Sequence, residues 1–217
     1  MKSIIFIAPP SAGKGTQSAL VSEYYGIPHI STGDLLRVAS KEVGERALYI
    51  KNQMESGGLV SDEVTMELLK ERLQKSDCNN GYILDGFPRN IAQADAYEKL
   101  LQTIGKELGV VIVLDLDKQT AMDRVVGRLT CSNCGAVYNS HYEEMRPKVE
   151  GFCDKCYGLL SQRADDTATT FENRYDTYLK NTEPLIHYYE EKGLARHVNS
   201  AESKEKVFEE IKKILGV

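Results

Sequence analysis

Five short β-forming runs recur along the chain, at Ser3 to Ala8, Ile27 to Ile30, Tyr82 to Leu84, Val110 to Leu116 and Ala195 to Val198. Four are apolar or nearly so from end to end, which is the pattern of strands covered on both faces. Helical stretches lie between them. Lys14 to Tyr25 follows the first run, and Asp62 to Lys75 carries Val64, Leu68, Leu69 and Leu73. Thr120 to Arg128 follows the fourth run. Phe171 to Glu191 is long, with Pro184 as its kink or break. Val207, Phe208, Ile211, Ile214 and Leu215 mark a C-terminal amphipathic helix. Alternating β and α units predict an α/β fold, with a five-stranded parallel sheet and helices on both faces.

Two stretches break the alternation. Residues 31–60 read as helical pieces ending at Gly57 and Gly58. Residues 129–164 hold four cysteines and three glycines but few apolar runs, so they read as an excursion built around something other than a hydrophobic core. At about 150 residues per domain, 217 residues leave room for one main fold with insertions. The expected division is a main domain of 1–30, 61–128 and 165–217, with one insert at 31–60 and a second at 129–164.

Composition excludes several classes. Hydrophobic residues at 41% and charged residues at 27% are those of a globular chain. A net charge of −5 argues against a general nucleic-acid binder. No apolar run nears the roughly 18 residues of a membrane span, and Ile4 to Ala8 is too short for a signal peptide. A cytoplasmic location is therefore expected, and there the five cysteines need a purpose other than disulfides.

The first strand runs into Ala8-Pro9-Pro10-Ser11-Ala12-Gly13-Lys14-Gly15-Thr16, with a helix behind it. Strand, small-residue loop and helix are the context of a phosphate loop. Inward backbone N–H groups and the helix dipole bind phosphate oxygens, and Lys14 reaches towards the outer phosphates. Thr16 or Gly15 stands on the Mg²⁺ side. Ala8 and Ser11 depart from the usual glycines; wherever positive φ is needed, a non-glycine costs roughly 1–3 kcal/mol.

Cys131-Ser132-Asn133-Cys134 and Cys153-Asp154-Lys155-Cys156 are separated by 18 residues. Paired CxxC motifs at this spacing predict a zinc site. Four thiolates fill a tetrahedral shell, so the metal is expected to be structural and to replace the core that a short insert cannot build. Cys78 lies outside the set.

Three further motifs are Ile30-Ser31-Thr32-Gly33-Asp34-Leu35-Leu36-Arg37, Leu84-Asp85-Gly86-Phe87-Pro88-Arg89 and Gly58-Leu59-Val60-Ser61-Asp62-Glu63. With the loop at 8–16 and Gln162-Arg163-Ala164-Asp165-Asp166, the chain resembles the adenylate kinase family over essentially its whole length. The resemblance implies the reaction ATP + AMP ⇌ 2 ADP with Mg²⁺, an AMP-binding insert and a mobile lid. It implies that Ser11, Ala12, Gly13, Lys14, Gly15 and Thr16 hold ATP phosphates, with Arg124 and Arg128 beside them and Val137 and Tyr138 at the base. Thr32, Arg37, Gly58, Leu59, Val60, Gly86, Phe87, Pro88, Arg89 and Gln93 resemble the AMP site. Arg163 and Arg174 match the arginines that close over the transferred group. Four cysteines match the zinc-bearing lids of part of the family.

The chemistry agrees with the resemblance. Phosphoryl transfer spreads charge over oxygens and needs positioning and fixed cations, here Lys14, Arg89, Arg124, Arg128, Arg163 and Arg174. Asp85, at a strand's carboxyl end, could hold the water shell of Mg²⁺, and Asp165 and Asp166 could order the arginines. Two other readings compete. Asn90 resembles the residue that follows the same motif in UMP/CMP kinases, and Ala8 and Ser11 would suit a catalytically inert nucleotide-binding module. The long lid opposes the first, as does Gln93, which sits where adenylate kinases place a glutamine that reads the adenine edge of AMP, and the full arginine set opposes the second. The expected enzyme is a monomer that keeps adenine nucleotides in balance.

Overall fold

The computed structural model describes residues 3–55, 60–162 and 166–216. Its main sheet contains β1 (Ile4–Ile7), β2 (His29–Ser31), β3 (Ile83–Asp85), β4 (Val110–Asp115) and β8 (Ala195–Asn199), ordered β2-β3-β1-β4-β8. Every adjacent pair is parallel. All five predicted strands are present. The apolar runs are continuous because alternate residues enter different cores. Ile5, Ile7, Leu84, Val111 and Val113 pack on one face, while Ile4, Phe6, Ile83, Ile112 and Leu114 pack on the other.

Helix α1 (Lys14–Tyr25) follows β1 with the predicted bounds. Next come α2 (Thr32–Ala39), α3 (Glu45–Glu55) and α4 (Asp62–Leu73). Ala39, Ile50 and Leu68 form a small separate core there, against which Val60 packs. Helix α5 (Ile91–Thr103), between β3 and β4, had not been expected. Its Ala94, Tyr97, Leu100 and Leu101 join the first core, and Asn90 caps its start by accepting from the Gln93 N–H at 2.8 Å.

Helix α6 (Lys118–Val126) ends two residues before the expected Arg128. Arg128 instead opens β5 (Arg128–Cys131), the central strand of a small antiparallel sheet with β6 (Val137–Asn139) and β7 (Leu160–Ser161). The switch falls at Gly127, where an added Cβ would lie 2.3 Å from Asn139 Oδ1 and 2.9 Å from His141 Cγ. The expected long helix is divided into α7 (Ala168–Thr177), a π-helical turn at Tyr178–Thr182, and α8 (Pro184–Glu191), with Pro184 at the first turn of the second piece. Helix α9 (Lys204–Leu215) packs Val207 and Ile211 on the second face.

From β1 the chain moves first to β2 and β3 on one side, then to β4 and β8 on the other. The reversal leaves a crevice at the carboxyl end of β1, the place where such sheets take ligands.

Candidate active site

The loop after β1 enters this crevice. Gly13 has φ 88°, and α1 starts without a side-chain cap or an acidic residue in its first turn. Side chains do cap α2, α4, α5, α6, α7 and α9. The first N–H groups of α1 are thus left to an anion. Of the two departures from glycine, only Ser11 takes positive φ, at 60°. Ala12 is buried, so it can offer phosphate only its backbone. The Lys14 ammonium donates to the carbonyls of Ala8 and Pro9, at 3.0 and 3.5 Å. Burial holds its pKa below the ordinary lysine value, with nearby Arg89 acting in the same direction and Asp85 opposing.

Asp85 closes β3 on the opposite wall, where an added Cβ on Gly15 would stand 3.9 Å from its Oδ2. His29 Nε2 lies 3.3 Å from that oxygen. Burial pushes the Asp85 carboxyl up. The His29 hydrogen bond and the charges of Lys14, His29 and Arg89 outweigh it and hold the group below its ordinary value. His29 was not expected here, since it stands just before the motif at 30–37 and its spacing to other chemistry-bearing residues gives no signal.

The next turn assembles several of the residues expected at AMP. Gly86 has φ 78°, and its carbonyl accepts from Thr32 Oγ1 at 3.1 Å and Arg89 Nε at 2.8 Å. Phe87 is buried, and the Phe87–Pro88 bond is cis. Burial lowers the Arg89 pKa, Asp85 opposes this, and nearby Arg174 of α7 lowers it further. Gln93 joins the same turn, as its Oε1 accepts from the Arg89 backbone N–H at 2.7 Å. The exposed Arg37 side chain on α2 has its Nε 3.1 Å from Asp34 Oδ1. Gly58, Leu59 and Arg163 lie outside the described residues.

Of the two arginines expected beside ATP, Arg124 lies in the last turn of α6 and Arg128 opens the small sheet. Arg124 Nη2 donates to the Ser200 carbonyl at 2.9 Å, and burial lowers its pKa. Arg128 is gripped by both oxygens of buried Asp166, with Nε to Oδ2 at 2.7 Å. Its Nη1 donates to Ser11 Oγ at 3.3 Å. Arg128 therefore ties the small sheet to the phosphate loop, and Asp166 orders an arginine as expected. Gln162 Nε2 closes the base by donating to the Val126 carbonyl at 2.8 Å and that of Asp166 at 3.0 Å.

Val137 is part exposed at the edge of this sheet. Tyr138, the other residue expected at the ATP base, turns its side chain inward. It is buried, and its hydroxyl accepts from the Asp154 N–H at 2.7 Å and lies 3.5 Å from Cys153 Sγ. Strand alternation turns its ring into the cysteine cluster, away from the neighbouring Val137 direction.

Cys131, Cys134, Cys153 and Cys156 converge with all four sulfurs within 4.8 Å of one another. The Cys131–Cys156 and Cys134–Cys153 separations are 3.4 and 3.6 Å. These are too long for disulfides and near the roughly 3.8 Å edge of a tetrahedron with metal–sulfur bonds of about 2.3 Å. Two matching turns build the cluster. The Gly135 N–H donates to the Cys131 carbonyl at 3.0 Å, and the Tyr157 N–H to that of Cys153 at 2.9 Å. Both turns end at positive φ, Gly135 at 72° and Tyr157 at 56°. The Tyr138 hydroxyl, with backbone N–H groups of Lys155 and Cys156, holds the Cys153 thiol down to about 6. An added Cβ on Gly158 would meet Cys131 Sγ at 3.0 Å. The donor set and its spacing fit a tetrahedral thiophilic metal.

The family model described as adenylate kinase matches residues 6–194. An adenylate kinase of Geobacillus sp. (strain WCH70) is 46% identical over 214 residues, covering 99% of this chain and 98% of its own. One from Clostridium botulinum (strain Loch Maree / Type A3) is 46% identical over 213 residues, covering 98% of each. One from Archaeoglobus fulgidus is 47% identical over 213 residues, covering 98% of this chain and 97% of its own. With a match of this extent over a phosphate loop, an arginine-lined crevice and a four-cysteine cluster, the chain belongs to the adenylate kinase family of nucleoside monophosphate kinases and is a phosphotransferase acting between ATP and AMP.

Proposed function

We propose that the crevice transfers the γ-phosphoryl group of ATP to AMP by positioning and charge alone. The observation that carries this reading is the gathering of Lys14 and Arg89 beside one carboxylate, Asp85, with Arg174 close enough to act on Arg89. Such an excess of positive charge lining the crevice suits the spread negative charge of the transition state. Ser11 to Thr16, Arg124 and Arg128 hold the ATP phosphates, and Val137 and Tyr138 edge its base. Thr32, Arg37, Gly58, Leu59, Val60, Gly86 to Arg89 and Gln93 hold AMP. Arg163 and Arg174 close over the transferred group. The AMP phosphate is already mostly dianionic at pH 7, so no residue need act as base.

Adenylate kinases use Mg²⁺ with ATP. Asp85, with Thr16 or Gly15 opposite, would hold its water shell, and the ion would neutralise charge on the outer phosphates. Zn²⁺ in the Cys131–Cys134–Cys153–Cys156 cluster would be structural, because four thiolates leave no open position. The domains divide as 1–30, 61–128 and 165–217 for the main fold, 31–60 for the AMP insert and 129–164 for the lid. Among the described residues no helix is long and apolar enough to cross a membrane. A cytoplasmic monomer that balances adenine nucleotides completes the reading.

The test is ADP formation from ATP and AMP, with and without Mg²⁺, beside UMP and CMP as acceptors. Mg²⁺-dependent ADP with AMP strongly preferred is expected. Preferred use of UMP, or no ADP at all, overturns the reading.

A further inference from the structure

Gln93 is almost fully buried, and both ends of its amide are engaged. Oε1 accepts from the Arg89 backbone N–H at 2.7 Å, while Nε2 donates to Asp62 Oδ1 at 2.6 Å. An amide has two orientations that differ only by exchange of oxygen and nitrogen, and a lone glutamine adopts either. Here the partners are of opposite kinds. A backbone N–H can only donate, and a carboxylate can only accept. Turning the amide over would set N–H against N–H and oxygen against carboxylate, leaving buried groups unpaired on both sides.

We propose that Asp62 is the positioning residue that locks the Gln93 amide in one orientation and so sets which bases the acceptor site takes. This rests on the reading that Gln93 faces the base of the acceptor nucleotide. In the locked orientation Nε2 keeps one N–H to give and Oε1 one lone pair to accept. The matching base edge carries a ring nitrogen that accepts beside an amino group that donates. Adenine has that edge, and cytosine has it too. Hypoxanthine and uracil present the reverse, a ring N–H beside a carbonyl. The lock therefore rejects keto bases by mismatch, whereas cytosine is disfavoured only by its size. A site built for such bonds rejects a mismatched partner far more strongly than one that differs by a methylene.

Asp62 stands in the first turn of α4, after the Ser61 cap, so its charge also favours the helix. Glu63 shares that turn and serves as the control. Values of kcat/KM for AMP, IMP, CMP and UMP would be measured for the native chain, Asp62→Asn, Glu63→Gln and Gln93→Met, with thermal midpoints for each. An asparagine at 62 can present oxygen or N–H, so the charged half of the lock is lost. The AMP-to-IMP ratio should fall about tenfold in Asp62→Asn, the loss of one charge-assisted hydrogen bond. The CMP-to-UMP ratio should fall with it, while KM for ATP stays unchanged. Glu63→Gln should leave both ratios at native values. If Gln93→Met shifts the ratios and Asp62→Asn does not, the lock is overturned. If neither shifts them, the placement of Gln93 at the base falls, and the lock with it. Equal shifts in Asp62→Asn and Glu63→Gln would reduce Asp62 to a helix-charge effect.

Discussion

Ser11 shows how one residue can carry both a cost and a contact. Its φ of 60° lies in the left-handed region, which costs a non-glycine roughly 1–2 kcal/mol. Its hydroxyl takes a hydrogen bond from Arg128, something no glycine at that position could do. Arg89 is likewise more than a surface charge. Its Nε holds the Gly86 carbonyl, its backbone N–H holds Gln93, and its charge acts on Asp85. Arg89→Ala is expected to lower turnover by two orders of magnitude or more while the thermal midpoint moves by only a few degrees, since an oxyanion-type contact of this kind is worth about 3–4 kcal/mol in the transition state. Steady-state kinetics beside calorimetry checks this, and near-native turnover would remove Arg89 from the reacting centre. The motif around Arg89 was legible in the sequence. The pairing of His29 with Asp85 and of Asp62 with the neighbouring Gln93 was not, because His29 and Asp62 are brought there by different elements, β2 and α4.

Among the elements, α5 is the instructive omission. Ala94, Tyr97, Leu100 and Leu101 have helical spacing and Asn90 is a good cap, yet Gln93, Asp95, Glu98 and Lys99 dilute the apolar signal. Only packing against Tyr82, Phe87 and the sheet shows what the stripe buries. The end of α6 is hidden for a similar reason, since nothing local to Arg128 says that it begins a strand pairing with Val137–Asn139. Strand β8 is an edge, and its His197 is tied to Asp115 on β4 at 2.9 Å and to Glu190 on α8 at 3.0 Å. Burial pushes the His197 pKa down, but bonds and charges from Asp115 and Glu190 outweigh it and raise the group above 6.5. A raised folded value means that His197 stabilises the fold fully below the unfolded pKa and that this contribution fades as pH rises through the folded one. Denaturant titrations of the native chain and His197→Gln should therefore differ at pH 5.5 and converge by pH 9. An equal gap at both pH values would contradict the assignment.

At the scale of the whole molecule, the two sheets are held by cores of different origin. The main sheet is buried on both faces by apolar residues. The small sheet has a minor cluster in which Cys131 and Cys153 are themselves buried members beside Tyr138. A metal ion at the cysteines should then be worth most of the small sheet's stability and little of the main sheet's. Chelation is expected to remove a separate, early unfolding transition, with loss of protection from hydrogen exchange over residues 129–162, and to leave the main transition in place. A single unchanged transition after the metal is stripped would contradict this. The strand alternation, the phosphate loop and the cysteine pairs were all readable from the sequence, because each is a local pattern whose physics acts over a few neighbouring residues. The grip of Asp166 on Arg128, the His29–Asp85 pair, the turning of Tyr138 into the cysteine cluster and the clamp on Gln93 were decided only by the tertiary structure. Each joins residues from separate elements, and hydrogen bonds between them depend on a separation in space that no spacing along the chain encodes.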